Sequence, residues 1–299
     1  MLPSIRLPDF VDIERYERFT IEASDSDWQL RHATSKDYDK VLTVPFRLWY
    51  NDALIAVYVP RLDVVGWDTL DLRRALHAME YDKDYRASGL KIESTTVGFM
   101  PRVTMRRDFC GAAAAARHWP GPHAEVCRWS LAAEAYYWAA AAELHAQHAG
   151  LTRDNVEKDY WMEGGIFTSG IINHNSQLHY HFDKGNYRRV WSAMLGFKEG
   201  ITGGYLVLPE FRIAAQISDQ SLLMFDGQAV FHGVTAIKKV AKGAHRYTIV
   251  YYSRQGMWNC DPPAVELSRI RKLKTRREHD RQYLEADPDW KPGKFKNRH

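Results

Sequence analysis

The chain has 299 residues, 45% of them hydrophobic and 13% aromatic, with a formal charge of +4; these values suit one large globular domain with an elaborated N-terminal part and exclude a disordered or low-complexity chain. No stretch approaches the roughly 20 apolar residues that a membrane-crossing helix needs, and MLPSIRLPDF at the N-terminus lacks signal-peptide character, so the chain is expected to be cytoplasmic and free of membrane contact. Cys110, Cys127 and Cys260 form neither a C-x-x-C pair nor a disulfide framework and are expected to be separate thiols.

The first 40 residues mix acidic and basic side chains around Trp28 and Tyr38 and are expected to wrap the surface. Residues 46–59 (FRLWYNDALIAVYV) read as two strands joined at the turn pair Asn51-Asp52 and stopped by Pro60. Asp68 is a candidate cap for a helix over 69–79, where Leu72, Leu76 and Met79 recur at helical spacing. Residues 94–111 combine a strand with Arg102, Arg106 and Arg107, which form either a solvated charge cluster or a contact to a cosubstrate or a DNA phosphate. The alanine-rich run 124–148 is expected to be a single helix that stops at Gly150 and packs Val126, Trp129, Tyr136, Ala140 and Leu144 on the core.

Beyond Gly164 the predicted elements become short strands, over 166–173, 190–197, 205–208, 213–217, 221–225, 229–234 and 246–252. Short strands bounded by Gly, Pro and Asp turns point to a two-sheet jelly roll, hence an α+β protein with a predominantly β core and N-terminal strands and helices packed around it. After Asp261-Pro262-Pro263 a charged helix is expected over 264–284. From Val265 to His299 there are eleven Lys or Arg against six Asp or Glu, a local +5, which suits either a solvated surface helix or a nucleic-acid contact. The expected organisation is one catalytic domain over 1–263, with an N-terminal extension over 1–160 and the jelly-roll core over 161–263, followed by a basic helix and tail over 264–299.

The chemistry-bearing pattern lies within 181–246. Residues i and i+2 of a strand share a face, so His181 and Asp183 can bind one ion, and His232 supplies a third ligand. Two imidazoles and one carboxylate on one face of an octahedron are the arrangement of non-haem Fe(II) oxygenases. Arg246 follows His232 by 14 residues in the alternating run RYTIVYY, where its guanidinium fork could grip a carboxylate, with Thr248 on the same side of the strand.

Residues 165–260, about a third of the chain, resemble the Fe(II)/2-oxoglutarate dioxygenases, and within them the TET and J-binding-protein branch, which hydroxylates the 5-methyl group of pyrimidines in nucleic acid. The resemblance rests on HFDKGN (181–186), GGYLVLPE (203–210), the FDG turn (225–227), FHGVT (231–235) and RYTIVYYS (246–253). It implies a double-stranded β-helix, with Fe(II) on His181, Asp183 and His232, 2-oxoglutarate with its far carboxylate on Arg246 and Thr248, and dioxygen as the remaining reactant. Thr248 fills the place of a Ser in the family's R-x-S pair.

Asn186, three residues after Asp183, matches a TET Asn that contacts the target base, and Tyr252, six after Arg246, matches a Tyr that stacks on it. Their alternative roles are a turn-forming Asn beside Gly185 and a core aromatic. Arg254 stands where the TET enzymes carry a base-contacting His, which leaves 5-methylcytosine and thymine both open as targets. The implied partner is DNA with a flipped pyrimidine; the superfamily pattern alone equally suits hydroxylation of a protein side chain or a small molecule. Oligomeric state is not legible in this pattern.

Overall fold

The computed structural model describes residues 1–21, 28, 31–85, 91–102 and 109–285. Arg106, Arg107 and the tail from 286 onward lie outside the described residues. In chain order the strands are β1 (Val11–Arg15), β2 (Lys40–Leu42), β3 (Phe46–Tyr50), β4 (Ala53–Val59), β5 (Asp82–Tyr85), β6 (Lys91–Met100), β7 (Gly111–Ala112) and β8 (Ser169–His174). They continue with β9 (Ser192–Glu199), β10 (Ile201–Gly203), β11 (Leu206–Leu208), β12 (Ile213–Ala215), β13 (Ser221–Phe225), β14 (Gly233–Val234), β15 (Ile237–Lys239) and β16 (His245–Tyr252). The α-helices are α1 (Thr69–Ala78), α2 (Ala115–His118), α3 (Pro120–Ala140), α4 (Ala142–Asn155) and α5 (Pro263–Glu285).

Several elements form where local chemistry dictates. Asn51 and Asp52 both take positive φ, 45° and 64°, as a two-residue type I′ turn requires, and they join β3 to β4. Asp68 caps α1 by accepting a hydrogen bond from the Leu70 amide at 3.0 Å.

Among the described residues ten strands form one large sheet in the order β1-β3-β4-β13-β9-β16-β8-β6-β5, with β7 also paired to β6. A second sheet runs β14-β11-β12-β2. Alternation along the strands separates two cores. On β13, Leu222 and Met224 pack towards α1 and α3 with Leu76 and Trp129, whereas Leu223 and Phe225 meet Leu208 and Ile213 of the smaller sheet. Each such fully buried Leu or Phe contributes about 1.5–3 kcal/mol relative to exposure. On β16 the odd-numbered Tyr247, Ile249 and Tyr251 lie on the helix side, which leaves the even-numbered Arg246, Thr248, Val250 and Tyr252 facing the smaller sheet. The molecule is therefore a mixed α+β fold with helices, a large sheet and a smaller sheet in successive layers.

Three expectations are corrected. The alanine-rich run is two helices rather than one: Ala141 takes a non-helical conformation (φ −152°, ψ 65°) that ends α3, and Gly150 lies inside α4, which continues to Asn155. Tertiary contacts override alanine's helix propensity here. The break lets α3 bury Val126, Trp129 and Tyr137 in the core while α4 carries His148 to Ser253 (2.8 Å) and Thr152 to the Ile166 carbonyl (3.0 Å).

Cys110 and Cys260 are not separate thiols but a disulfide, with Cα atoms 5.7 Å apart across 150 residues of chain; only Cys127 is a free, buried cysteine. Arg102 is half-buried and paired with acidic side chains rather than free for a cosubstrate. Its guanidinium binds Asp261 and Glu266, and Glu266 also accepts from the Cys110 amide at 3.1 Å, so disulfide and ion pairs together fasten the start of α5 to the end of β6. Among the described residues no helix is long and apolar enough to cross a membrane.

Candidate active site

Two segments bring the chemistry together. The expected strand 229–234 is regular only over β14, but just before it His232 forms an isolated antiparallel bridge with His181. The His181 amide donates to the His232 carbonyl at 2.9 Å and the His232 amide returns the bond at 3.1 Å. Two residues on, the Asp183 amide donates to the Gly227 carbonyl at 2.8 Å. With that backbone frame set, His181 Nε2 lies 3.6 Å from Asp183 Oδ1 and His232 Nε2 lies 3.9 Å from the same oxygen. One donor atom from each residue falls within 4.8 Å of the others, the spacing of a group able to hold a metal ion.

The tautomers suit ligation. Nδ1 of His181 lies 2.8 Å from the His179 carbonyl and Nδ1 of His232 lies 3.0 Å from the Val230 carbonyl. A carbonyl accepts only, so each Nδ1 carries the proton and each Nε2 offers a lone pair to the shared space. Burial pushes the His232 imidazole down to about 4 and the neighbouring His181 lowers it further, while Asp183 and the Val230 carbonyl oppose the shift; His232 is therefore neutral at pH 7, as a ligand must be.

Gly227 and Asp226, seen in the sequence only as parts of a turn motif, shape the site. A Cβ on Gly227 would come within 2.3 Å of Asp183 Oδ2, so the carboxylate occupies space that only glycine leaves. Asp226 accepts from the amides of Gln228 (3.0 Å), Ala229 (3.2 Å) and Arg189 (3.1 Å), tying the turn before His232 to the loop after Asp183.

Arg246 is 2% exposed. Its Nη2 donates to the Gly204 carbonyl at 3.3 Å and its Nε has no partner; burial pulls its pKa down to about 10. Lys198, opposite Arg246 on β9, is lowered by its own burial and then by the Arg246 charge. A buried guanidinium beside a second cation, with an orphaned N–H, is an uncompensated charge, and an anion such as a carboxylate would satisfy it. Lys198 was not singled out in the sequence, because its pairing with Arg246 depends on strand register. Thr248 is buried on the same face of β16.

At the other end of β16, Asn186 and Arg254 form a second isolated bridge, supported by Tyr187 N to Ser253 O and Gln255 N to Gly185 O, both 2.9 Å. The Asn186 amide donates to Ser192 Oγ at 3.4 Å. Burial pushes the Tyr252 phenol up to about 12, with Arg254 opposing and Asp183 reinforcing the shift, so its hydroxyl lies within electrostatic reach of both. Asn186, on the loop that follows Asp183, is thus joined to Arg254, two residues beyond Tyr252 at the end of β16. A separate cavity of about 310 Å³, lined by His77, His174, His245 and Tyr247, lies on the opposite, odd-numbered face of β16.

No family model matches the chain. The bifunctional helicase and thymine dioxygenase JBP2 of Leishmania braziliensis is 26% identical over 116 residues, 39% of this chain and 10% of that protein. The corresponding JBP2 of Trypanosoma brucei brucei is 28% identical over 110 residues, 37% of this chain and 10% of that protein. The chain thus matches about a tenth of the length of these curated relatives. Among solved structures, NgTET1 in complex with 5mC DNA superposes with a TM-score of 0.55 at 12% identity, covering 88% of this chain and 91% of that one, which is a shared fold. The chain's His181, Asp183 and His232 group has the donor set of a non-haem Fe(II) oxygenase site. Over rather more than a third of its length the chain is similar in sequence to JBP2, and over most of its length it is similar in fold to NgTET1.

Proposed function

We propose that this chain is an Fe(II)- and 2-oxoglutarate-dependent dioxygenase that hydroxylates the 5-methyl group of a pyrimidine, 5-methylcytosine or thymine, in DNA. The observation that carries the reading is the convergence of His181, Asp183 and His232 beside a strand whose buried Arg246 lacks an anion. In this reading the three residues hold Fe(II), while Arg246 and Thr248 take the far carboxylate of 2-oxoglutarate. The sheets form a double-stranded β-helix within a catalytic domain over 1–263, to which α5 and the tail are appended. When bound, iron, 2-oxoglutarate and dioxygen together supply the oxidation of an unreactive C–H bond; the chain supplies position and exclusion of water.

The target base must leave the duplex to reach a site between two sheets, at a cost of a few kcal/mol of unstacking. Tyr252 stacks on the extruded base, and Asn186 and Arg254 meet its polar edge. Support for this substrate comes from JBP2, named a thymine dioxygenase, and from the TET structure bound to 5mC DNA. The test is incubation with Fe(II), 2-oxoglutarate, ascorbate and DNA containing thymine or 5-methylcytosine, followed by mass spectrometry of the nucleosides. Hydroxymethyl product on either DNA is expected. Succinate formation with no modified base would remove the DNA substrate and leave an oxygenase acting on a protein side chain or small molecule.

A further inference from the structure

Between Asp183 and the buried Val190 the chain places three cations, Lys184, Arg188 and Arg189, all exposed. Most arginines near the smaller sheet are neutralised: Arg18 by Glu210, Arg31 by Asp37, Arg212 by Asp39. Among the described residues Lys184, Arg188 and Arg189 have no ion pair. Two acidic groups beside this run are committed elsewhere, the adjoining Asp183 to the His181 and His232 group and Asp226, brought near by the fold, to three backbone amides. Three like charges on six residues make a local positive potential that attracts an anion.

The loop carrying them is anchored at several points. The Asp183 amide is held by the Gly227 carbonyl, the Arg189 amide by the Asp226 carboxylate, and the Gly185 carbonyl and Tyr187 amide by the segment after β16. Arg189 sits in the left-handed region (φ 61°), which turns the chain sharply at the end of the cationic run. From Lys184 to Arg189 the backbone spans at most about 18 Å. That is about five phosphates of one DNA strand at 3.4 Å of rise each.

From this placement we infer that Lys184, Arg188 and Arg189 form a phosphate-binding rim, which grips the backbone of the nucleic acid around the nucleotide that enters the site. The inference rests on the proposed DNA substrate and adds to it where the backbone is held. It assigns that role away from Arg102, whose guanidinium is already occupied by Asp261 and Glu266.

The test is the salt dependence of DNA binding by the full chain. Each phosphate contact contributes about 0.9 to the slope of log affinity against log salt, so removing three cations should lower the slope by about 2.7. The variant combines Lys184→Ser, Arg188→Ser and Arg189→Asn, the last because asparagine tolerates positive φ. A control, Lys238→Ser with Lys242→Ser, removes two exposed cations elsewhere and should leave the slope unchanged. The melting temperature and 2-oxoglutarate turnover without DNA should match the parent in both variants, which separates loss of the rim from loss of fold. If the parent binds DNA with a steep salt dependence and the triple variant keeps it, the rim is wrong and the DNA reading stands. If the parent shows no salt-dependent DNA binding, both fall.

Discussion

His181 and His232 face each other across a two-residue antiparallel bridge, each amide donating to the other's carbonyl, with their imidazole centroids 4.3 Å apart. The backbone thus sets the separation of the two rings before any ion binds. The third member of the group is placed by a void: Asp183 Oδ2 fills the position that a side chain on Gly227 would take.

Gly227→Ala should therefore weaken metal binding although it removes no ligand. The added methyl forces the Asp183 carboxylate to move, and disturbing such a support typically costs about 10- to 100-fold in metal affinity. Asp183→Ala, which removes the sole anionic donor of the three, should abolish both Fe(II) binding and succinate formation. Calorimetric titration with Fe(II) under anaerobic conditions reads both; a Gly227→Ala protein with parental affinity would show that the carboxylate has another place to go.

Arg246→Met should separate cosubstrate from metal. Loss of charge-assisted hydrogen bonds, each about 1.5–3 kcal/mol, should raise the 2-oxoglutarate requirement at least roughly tenfold while Fe(II) affinity is retained. Without 2-oxoglutarate the variant should melt no lower than the parent, because the substitution also removes an unpaired buried cation. Addition of 2-oxoglutarate should stabilise the parent and not the variant. Equal stabilisation of both would place the carboxylate elsewhere.

Tyr252→Ala should cost about 1–3 kcal/mol of base stacking, a tenfold to hundredfold loss of affinity for substrate DNA, with DNA-independent 2-oxoglutarate turnover intact. Asn186→Ala should narrow the preference between thymine and 5-methylcytosine, since those bases differ by a carbonyl or an amino group at the polar edge. Competition binding with the two duplexes measures both effects. Parental hydroxylation by Tyr252→Ala would make the tyrosine a core residue.

Acid stability should follow His148. Burial holds this imidazole down to about 3, below the ordinary 6.5, so between those values the unfolded chain binds a proton that the folded chain does not. Its contribution is fully present above pH 6.5 and is lost as pH falls towards 3, at up to about 1.4 kcal/mol per pH unit. His148→Gln should be less stable at pH 7, having lost the bond to Ser253, yet show a shallower decline in urea midpoint from pH 7 to pH 5. Parallel declines in the two proteins would mean that His148 opens to water in the native state.

Reduction should loosen the junction at α5. Breaking the Cys110–Cys260 bridge removes a cross-link over 150 residues and should cost about 2–4 kcal/mol in urea denaturation. Alkylation of the oxidised, unfolded protein should label Cys127 alone. In the native state that thiol should react slowly, since burial pushes it up to about 12. Three labelled cysteines would contradict the bridge.

The sequence by itself determined the features that covalent geometry and period set locally. The two-residue strand repeat puts Arg246 with Thr248 and Tyr252, the Asn51-Asp52 pair makes its turn, and Asp68 caps its helix. Tertiary structure alone decided what depends on distant segments meeting. It joins Cys110 to Cys260, ends α3 at Ala141 despite alanine's propensity, and places Lys198 opposite Arg246. It also commits Arg102 and Asp226 to partners far along the chain while leaving the cations after Asp183 unpaired. The physical reason is that a periodicity reports which face a residue occupies, whereas the partner across that face is selected by packing and register over the whole molecule.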